Sequence, residues 1–131
     1  MVDEGARQGA TIQVSLAPEY AVVGLGGTIM LQYAEAVREQ LRAVVLGGAR
    51  RILVDLTGVS EMDSRGLGAL VSLVRLAQER GGAVRFFGAS PSVYALFELT
   101  RLHRVLDFYP NQALAMSQPW RSLEREHGQT A

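Results

Sequence analysis

Asp63-Ser64-Arg65-Gly66-Leu67-Gly68 places a carboxylate, a hydroxyl and a guanidinium side by side at a junction between two kinds of hydrophobic pattern. Upstream, residues 50–56 form an apolar run of strand length, followed by the turn-like Thr57-Gly58-Val59-Ser60. Downstream, Leu67, Leu70, Val71, Val74 and Ala77 recur at helical spacing. Ser64 therefore falls at the N-cap or in the first turn of a helix. An oxygen there can accept from the unpaired N–H groups of the helix end, and that end favours negative charge. A phosphate carried by Ser64 would be tolerated at such a place. The same local sequence also describes an ordinary capping pair, and the residues alone leave both readings open.

Other groups offer less. Val22-Val23-Gly24-Leu25-Gly26-Gly27-Thr28-Ile29 is similar to a dinucleotide-binding turn, but Ile29 stands where the third glycine belongs. A strand exit with flexible glycines is the better account. His103 and His127 are far apart and lack ligand-like spacing. Asp63, Ser64 and His103 supply the residue types of a triad without the Gly-x-Ser-x-Gly elbow. Asp55, Glu61 and Asp63 could hold a cation or work as acid and base; solvated loop acids near a helix N-terminus are the commoner outcome. Phe108, Tyr109 and Trp120 read as packing for a C-terminal helix rather than as a recognition patch. Arg50-Arg51 is too short a basic run to indicate nucleic acid. No enzyme chemistry, cofactor or metal centre is expected.

Composition narrows the classes further. The chain has 131 residues, enough for one domain with a real core, and 48% of them are hydrophobic, which argues against disorder. Thirteen basic and thirteen acidic residues cancel, so no global field draws nucleic acid or an anionic membrane. Cysteine is absent, and every basic residue is Arg. Thiolate chemistry, disulfides, a P-loop lysine and a Schiff-base lysine are thereby excluded. No apolar run approaches a membrane span, and the polar first ten residues lack a signal-peptide core. A cytoplasmic protein without membrane insertion is the expectation.

The elements that must position Ser64 follow from the patterning. Strands are predicted over residues 11–16, 20–25, 52–56, 83–87 and 105–108. Helices are predicted over residues 31–46, 64–80 and 91–100, the last with Pro91 at its first position, and a fourth from Asn111 to about Glu126. The order β-β-α-β-α-β-α-β-α implies an α/β fold built on one mixed, mostly parallel sheet with an antiparallel edge strand. Residues 1–10 are expected to fray, residues 11–117 to form the domain, and residues 118–131 to be a helical extension and tail.

The segment Ile52-Leu53-Val54-Asp55-Leu56-Thr57-Gly58-Val59-Ser60-Glu61-Met62-Asp63-Ser64-Arg65-Gly66-Leu67-Gly68 resembles the STAS domain of bacterial anti-sigma-factor antagonists. That family shows an apolar strand, Asp-Leu, a short turn, then Asp-Ser-Ser-Gly-Leu-Gly entering a helix. Gly81-Gly82, Gly88-Ala89-Ser90-Pro91-Ser92-Val93 and Leu99-Thr100-Arg101-Leu102 follow in the family's order, so the likeness runs from about Thr11 to Met116. The resemblance implies a STAS fold and a non-enzymatic function. It implies binding to an anti-sigma factor that is also a serine kinase, phosphorylation at Ser64 that ends the binding, and a metal-dependent serine phosphatase that restores it. Asp63, Ser64, Arg65, Gly66, Leu67, Gly27, Thr28, Met30 and Glu61 are the implied partner-binding residues. Two departures stand out: Thr28 and Met30 occupy positions that are often acidic in the family, and Arg65 replaces its second serine. STAS domains also serve as accessory subunits of membrane transporters, including lipid-trafficking ABC systems, which is the alternative function. A small nucleotide-binding protein using Gly24–Thr28 ranks third.

Overall fold

The computed structural model describes residues 9–120. Five strands form one sheet in the order of the sequence, β1-β2-β3-β4-β5. They are β1 (Ala10–Leu16), β2 (Ala21–Ile29), β3 (Arg51–Met62), β4 (Ala83–Phe87) and β5 (Asp107–Tyr109). β1 runs antiparallel to β2, and every other neighbouring pair is parallel. The helices are α1 (Leu31–Leu46), α2 (Ser64–Glu79), α3 (Pro91–Leu99) and the short α4 (Gln112–Ser117). This is the mixed α/β sheet with an antiparallel edge that the alternation predicts.

Period-two alternation divides the strands between two faces. Ile52, Val54 and Leu56 of β3, with Val84 and Phe86 of β4, enter the main core under Val37, Leu41 and Val45 of α1, Leu70, Leu73 and Ala77 of α2, and Val93 and Phe97 of α3. Phe108 closes this core, its ring 4.8 Å from Phe97 and 5.2 Å from Phe86 between centroids. The opposite face carries a smaller cluster in which Leu53 and Phe87 meet Ala115 of α4, with Tyr109 and Trp120 at its margin. Adjacent aromatic residues 108 and 109 thus serve different cores. Both roles are packing, as the sequence suggests for that group.

Helices α3 and α4 start at side-chain caps. Ser90 caps α3 by accepting from the Val93 N–H at 3.2 Å, with Pro91 in the first turn. Asn111 caps α4 by accepting from the Leu114 N–H at 2.9 Å. α1 ends at Gly47 and Gly48, the latter with φ +108.

Four boundaries differ from the sequence expectation, and each has a reason. Gly26 and Gly27 do not end the second strand: β2 continues to Ile29 through register shifts at Gly24/Gly26 and Gly27/Thr28. Thr57–Met62 is not a loop but the second half of β3, paired with that extension of β2. Val105 follows a 3-10 turn over Leu102–Arg104, entered through Arg101 at φ +64, so β5 starts at Asp107. The last helix stops at Ser117, because Gln118 precedes Pro119 and is extended at φ −80, ψ 141. The helical extension expected beyond it lies outside the described residues from residue 121 onward, as do residues 1–8 of the N-terminal stretch expected to fray. Ala10, by contrast, is buried in β1 opposite Gly27.

Candidate functional site

β2 and β3 outrun the rest of the sheet, since β3 parts from β4 after Asp55↔Phe87 but stays with β2 through Ile29↔Met62. α2 starts immediately beyond that ribbon. The Asp63 N–H donates to the Ile29 carbonyl at 3.3 Å, which ties the start of the helix to the end of β2. The Asp63 carboxylate accepts from the Arg65 and Gly66 N–H groups, both at 3.0 Å. Asp63 is therefore the N-cap and Ser64 the first helical residue, which settles the position that the sequence leaves between two registers. Ser64 and Arg65 are exposed.

The residues singled out by sequence come together here. Thr28 is the register partner of Glu61, and the Ser60 hydroxyl donates to the Gly27 carbonyl at 3.2 Å. Met30 follows as the N-cap position of α1, its carbonyl accepting from the Tyr33 and Ala34 N–H groups. The outer surface is formed by Ser60, Glu61, Ser64 and Arg65, with Thr28, Met30 and Asp63 half-buried beside them. Gly66 and Leu67 do not share that surface. Leu67 belongs to the main core and Gly66 is buried under the first turn; they shape the site from below. A Cβ on Gly66 would meet the Ile29 carbonyl and, at 2.8 and 2.9 Å, Ile29 Cγ2 and Met62 Cγ. Ile29 and Ser60 lie in segments that the sequence reads as a strand exit and a turn; their packing and hydrogen-bonding roles come from the continuation of β2 and β3, which no local pattern signals.

The competing chemistries find no geometry here. Gly24–Thr28 lies inside the sheet, paired with both β1 and β3, and is not a strand-to-helix turn. Asp55 accepts from the Thr57 N–H at 2.8 Å. Among the described residues, no three His, Cys, Asp or Glu side chains are grouped to hold a metal ion. His103 sits at the end of α3 against the Tyr94 ring, with Nδ1 3.4 Å from the Phe97 carbonyl oxygen; His127 is outside the described residues. No helix among the described residues is long and apolar enough to cross a membrane.

The division of work between Asp63 and Ser64 has a measurable consequence. Asp63→Ala removes two accepted hydrogen bonds and should cost about 1 kcal/mol, in the range of lost N-caps. Ser64→Ala should stay within about 0.5 kcal/mol of the parent, as an exposed substitution outside the cap. Urea unfolding of the two variants separates them; equal losses would mean that Ser64 shares the cap.

Comparisons with known proteins bear on the family and the fold. The family described as "Mlab, STAS domain" matches residues 12–107. The anti-sigma F factor antagonist of Paenibacillus polymyxa is 26% identical over 98 residues, covering 74% of this chain and 84% of that protein. The anti-sigma-B factor antagonist of Staphylococcus aureus is 30% identical over 91 residues, covering 70% and 84%. Among solved structures, the Bacillus cell fate determinant SpoIIAA in its phosphorylated form aligns with a TM-score of 0.64 at 21% identity, covering 81% of this chain and 96% of that one.

Proposed function

The chain belongs to the STAS family of anti-sigma-factor antagonists, regulatory binding proteins rather than enzymes, and on that premise we propose that it binds an anti-sigma factor through the Ser64 surface and is released by phosphorylation at Ser64. The observation that carries this reading is the exposed hydroxyl of Ser64 at the first position of a helix that Asp63 already caps. Modification there adds charge without removing a bond that the fold uses.

A phosphate brings about −1.5 to −2 charges and three strong acceptor oxygens. Within this chain the helix N-terminus offsets part of that charge. Against a partner the dianion must be desolvated, beside Asp63 and Glu61. A loss of ~3 kcal/mol weakens binding by roughly two orders of magnitude, and no refolding is required. The anti-sigma factor is proposed to be the serine kinase, and a metal-dependent serine phosphatase to reverse the reaction. ATP and magnesium belong to those partners. Thr28 and Met30 leave the β2 side of the surface without acids, and Arg65 adds a cation next to the phosphoacceptor. These departures bear on kinase choice, and the guanidinium of Arg65, next to Ser64 in sequence, could pair with the phosphate.

Pull-down from native extract with wild type, Ser64→Ala and Ser64→Asp tests the proposal. Wild type and Ser64→Ala are expected to recover an ATP-binding anti-sigma kinase, with Ser64→Asp recovering at least tenfold less. Recovery of a transporter ATPase by all three would replace this reading with the transporter-subunit alternative.

A further inference from the structure

Among the described residues, β1 is an edge strand without the usual protection. Among the described residues it pairs on one side only, with β2, through seven consecutive register partners and no bulge. Free edges are ordinarily blunted by charge, proline, a bulge or a covering element. Ala10–Leu16 contains no charged residue and no proline.

Its side chains add a second, independent signal. Ala10, Ile12, Val14 and Leu16 share the face that looks toward α1. Their exposure climbs along the strand, from 3% and 9% to 41% and 75%. The first two are sealed by the core, and the last two emerge beyond it at the mouth of a groove of about 530 Å³ shared with Val44 and Tyr20. On the opposite face Gln13 and Ser15 are exposed and Thr11 is half-buried.

We propose that β1 is a self-association surface: two copies of this chain pair antiparallel, β1 to β1, about a two-fold axis at Gln13. That residue is the midpoint of the strand, so this register uses its whole length. Val14 of each copy then lies opposite Ile12 of the other, and Leu16 opposite Ala10. Every exposed apolar side chain is set beside a sealed one of the second copy, in the manner of cross-strand pairs. The contact is isologous and closes on itself, so it yields a dimer rather than a fibre. Charge supports this occupant over a charged partner, because the strand is uncharged and the chain's thirteen basic and thirteen acidic residues cancel. The two five-stranded sheets become one continuous sheet. None of the residues assigned to the Ser64 surface takes part, so this inference stands or falls independently of the proposed function.

The absence of native cysteine makes the register directly testable in the full chain. Gln13→Cys should cross-link to a covalent dimer under mild oxidation, because the two-fold sets residue 13 opposite itself at a separation a disulfide can span. Ser15→Cys faces Thr11 of the other copy and should cross-link far more slowly. Sedimentation of the wild type should show a dimer that grows with concentration. Leu16→Lys should raise the dissociation constant at least tenfold while leaving the thermal melt of the monomer unchanged, since Leu16 is already mostly exposed. A wild type that stays monomeric up to about millimolar concentration overturns the proposal. So does a dimer indifferent to Leu16→Lys, or cross-linking of Ser15→Cys equal to or faster than that of Gln13→Cys.

Discussion

Gly66→Ala is expected to destabilise the protein by about 3 kcal/mol, at the upper end of what overpacking costs, and to lower its melting temperature by roughly 10 °C. The added methyl would be driven into the Ile29 carbonyl, a backbone atom held by the β2–β3 pairing, and against Ile29 Cγ2 and Met62 Cγ. None of these is the free end of a flexible side chain. The first turn of α2 can make room only by lifting off β2, which breaks the 3.3 Å bond from the Asp63 N–H to Ile29 and displaces Ser64. The proposed partner capture should therefore fail even though the Ser64 side chain is intact. Gly68→Ala provides the contrast. Its Cβ would meet only the Arg38 guanidinium, at 3.9 Å, so removing an interior helix glycine should stabilise by about 0.5–1 kcal/mol. Thermal unfolding of the pair is the check. Similar melts for the two variants would mean that the helix start is not packed against β2.

The second large effect is expected on the opposite face. Arg85 is buried at 4% exposure, and its guanidinium donates to the carbonyls of Ala115 and Gln118, both at 2.7 Å, and to that of Pro119. The Trp120 ring lies over it with the centroid 4.0 Å from Cζ, and Tyr109 lies 5.3 Å away. One side chain thus satisfies the end of α4 and fixes the segment that follows. Arg85→Met keeps much of the volume but strips those carbonyls of a charged donor, and a loss of about 3 kcal/mol is expected. Arg85→Lys should recover little, because an ammonium cannot reproduce the planar fork. Trp120 is the only tryptophan of the chain, so its emission reports the event directly. A red shift in Arg85→Met is the expected sign that the ring has left its guanidinium, and unchanged emission would mean that Trp120 is held by its other neighbours.

These two positions also show where the sequence is readable. Helix α1, strand β4 and the start of α2 lie where periodicity and capping chemistry put them, because their signals are local: a helical stripe between glycines, four apolar residues around a single Arg, an Asp-Ser pair ahead of a stripe. The Asp-Ser pair likewise marks the candidate site. The second halves of β2 and β3 were hidden, since glycines that usually punctuate a chain are here absorbed into bulges, and only pairing between distant segments reveals a strand. The buried place of Leu67 follows from the helix facing the sheet, and the partners of Arg85 lie about 30 residues downstream. Both facts belong to tertiary structure. Alternation along β4 does set Arg85 apart from Val84 and Phe86, but nothing local names the carbonyls it serves.

Because Asp63, and not Ser64, closes the first turn of α2, the fold itself places no selection on residue 64. Under the proposed function, selection at that position acts on regulation. Substitution by alanine or glycine would leave a folded descendant that has lost its control, and drift toward an acid would leave a folded descendant fixed in the opposite condition. Sister chains that differ in regulation while sharing one stable scaffold are thus a single codon apart.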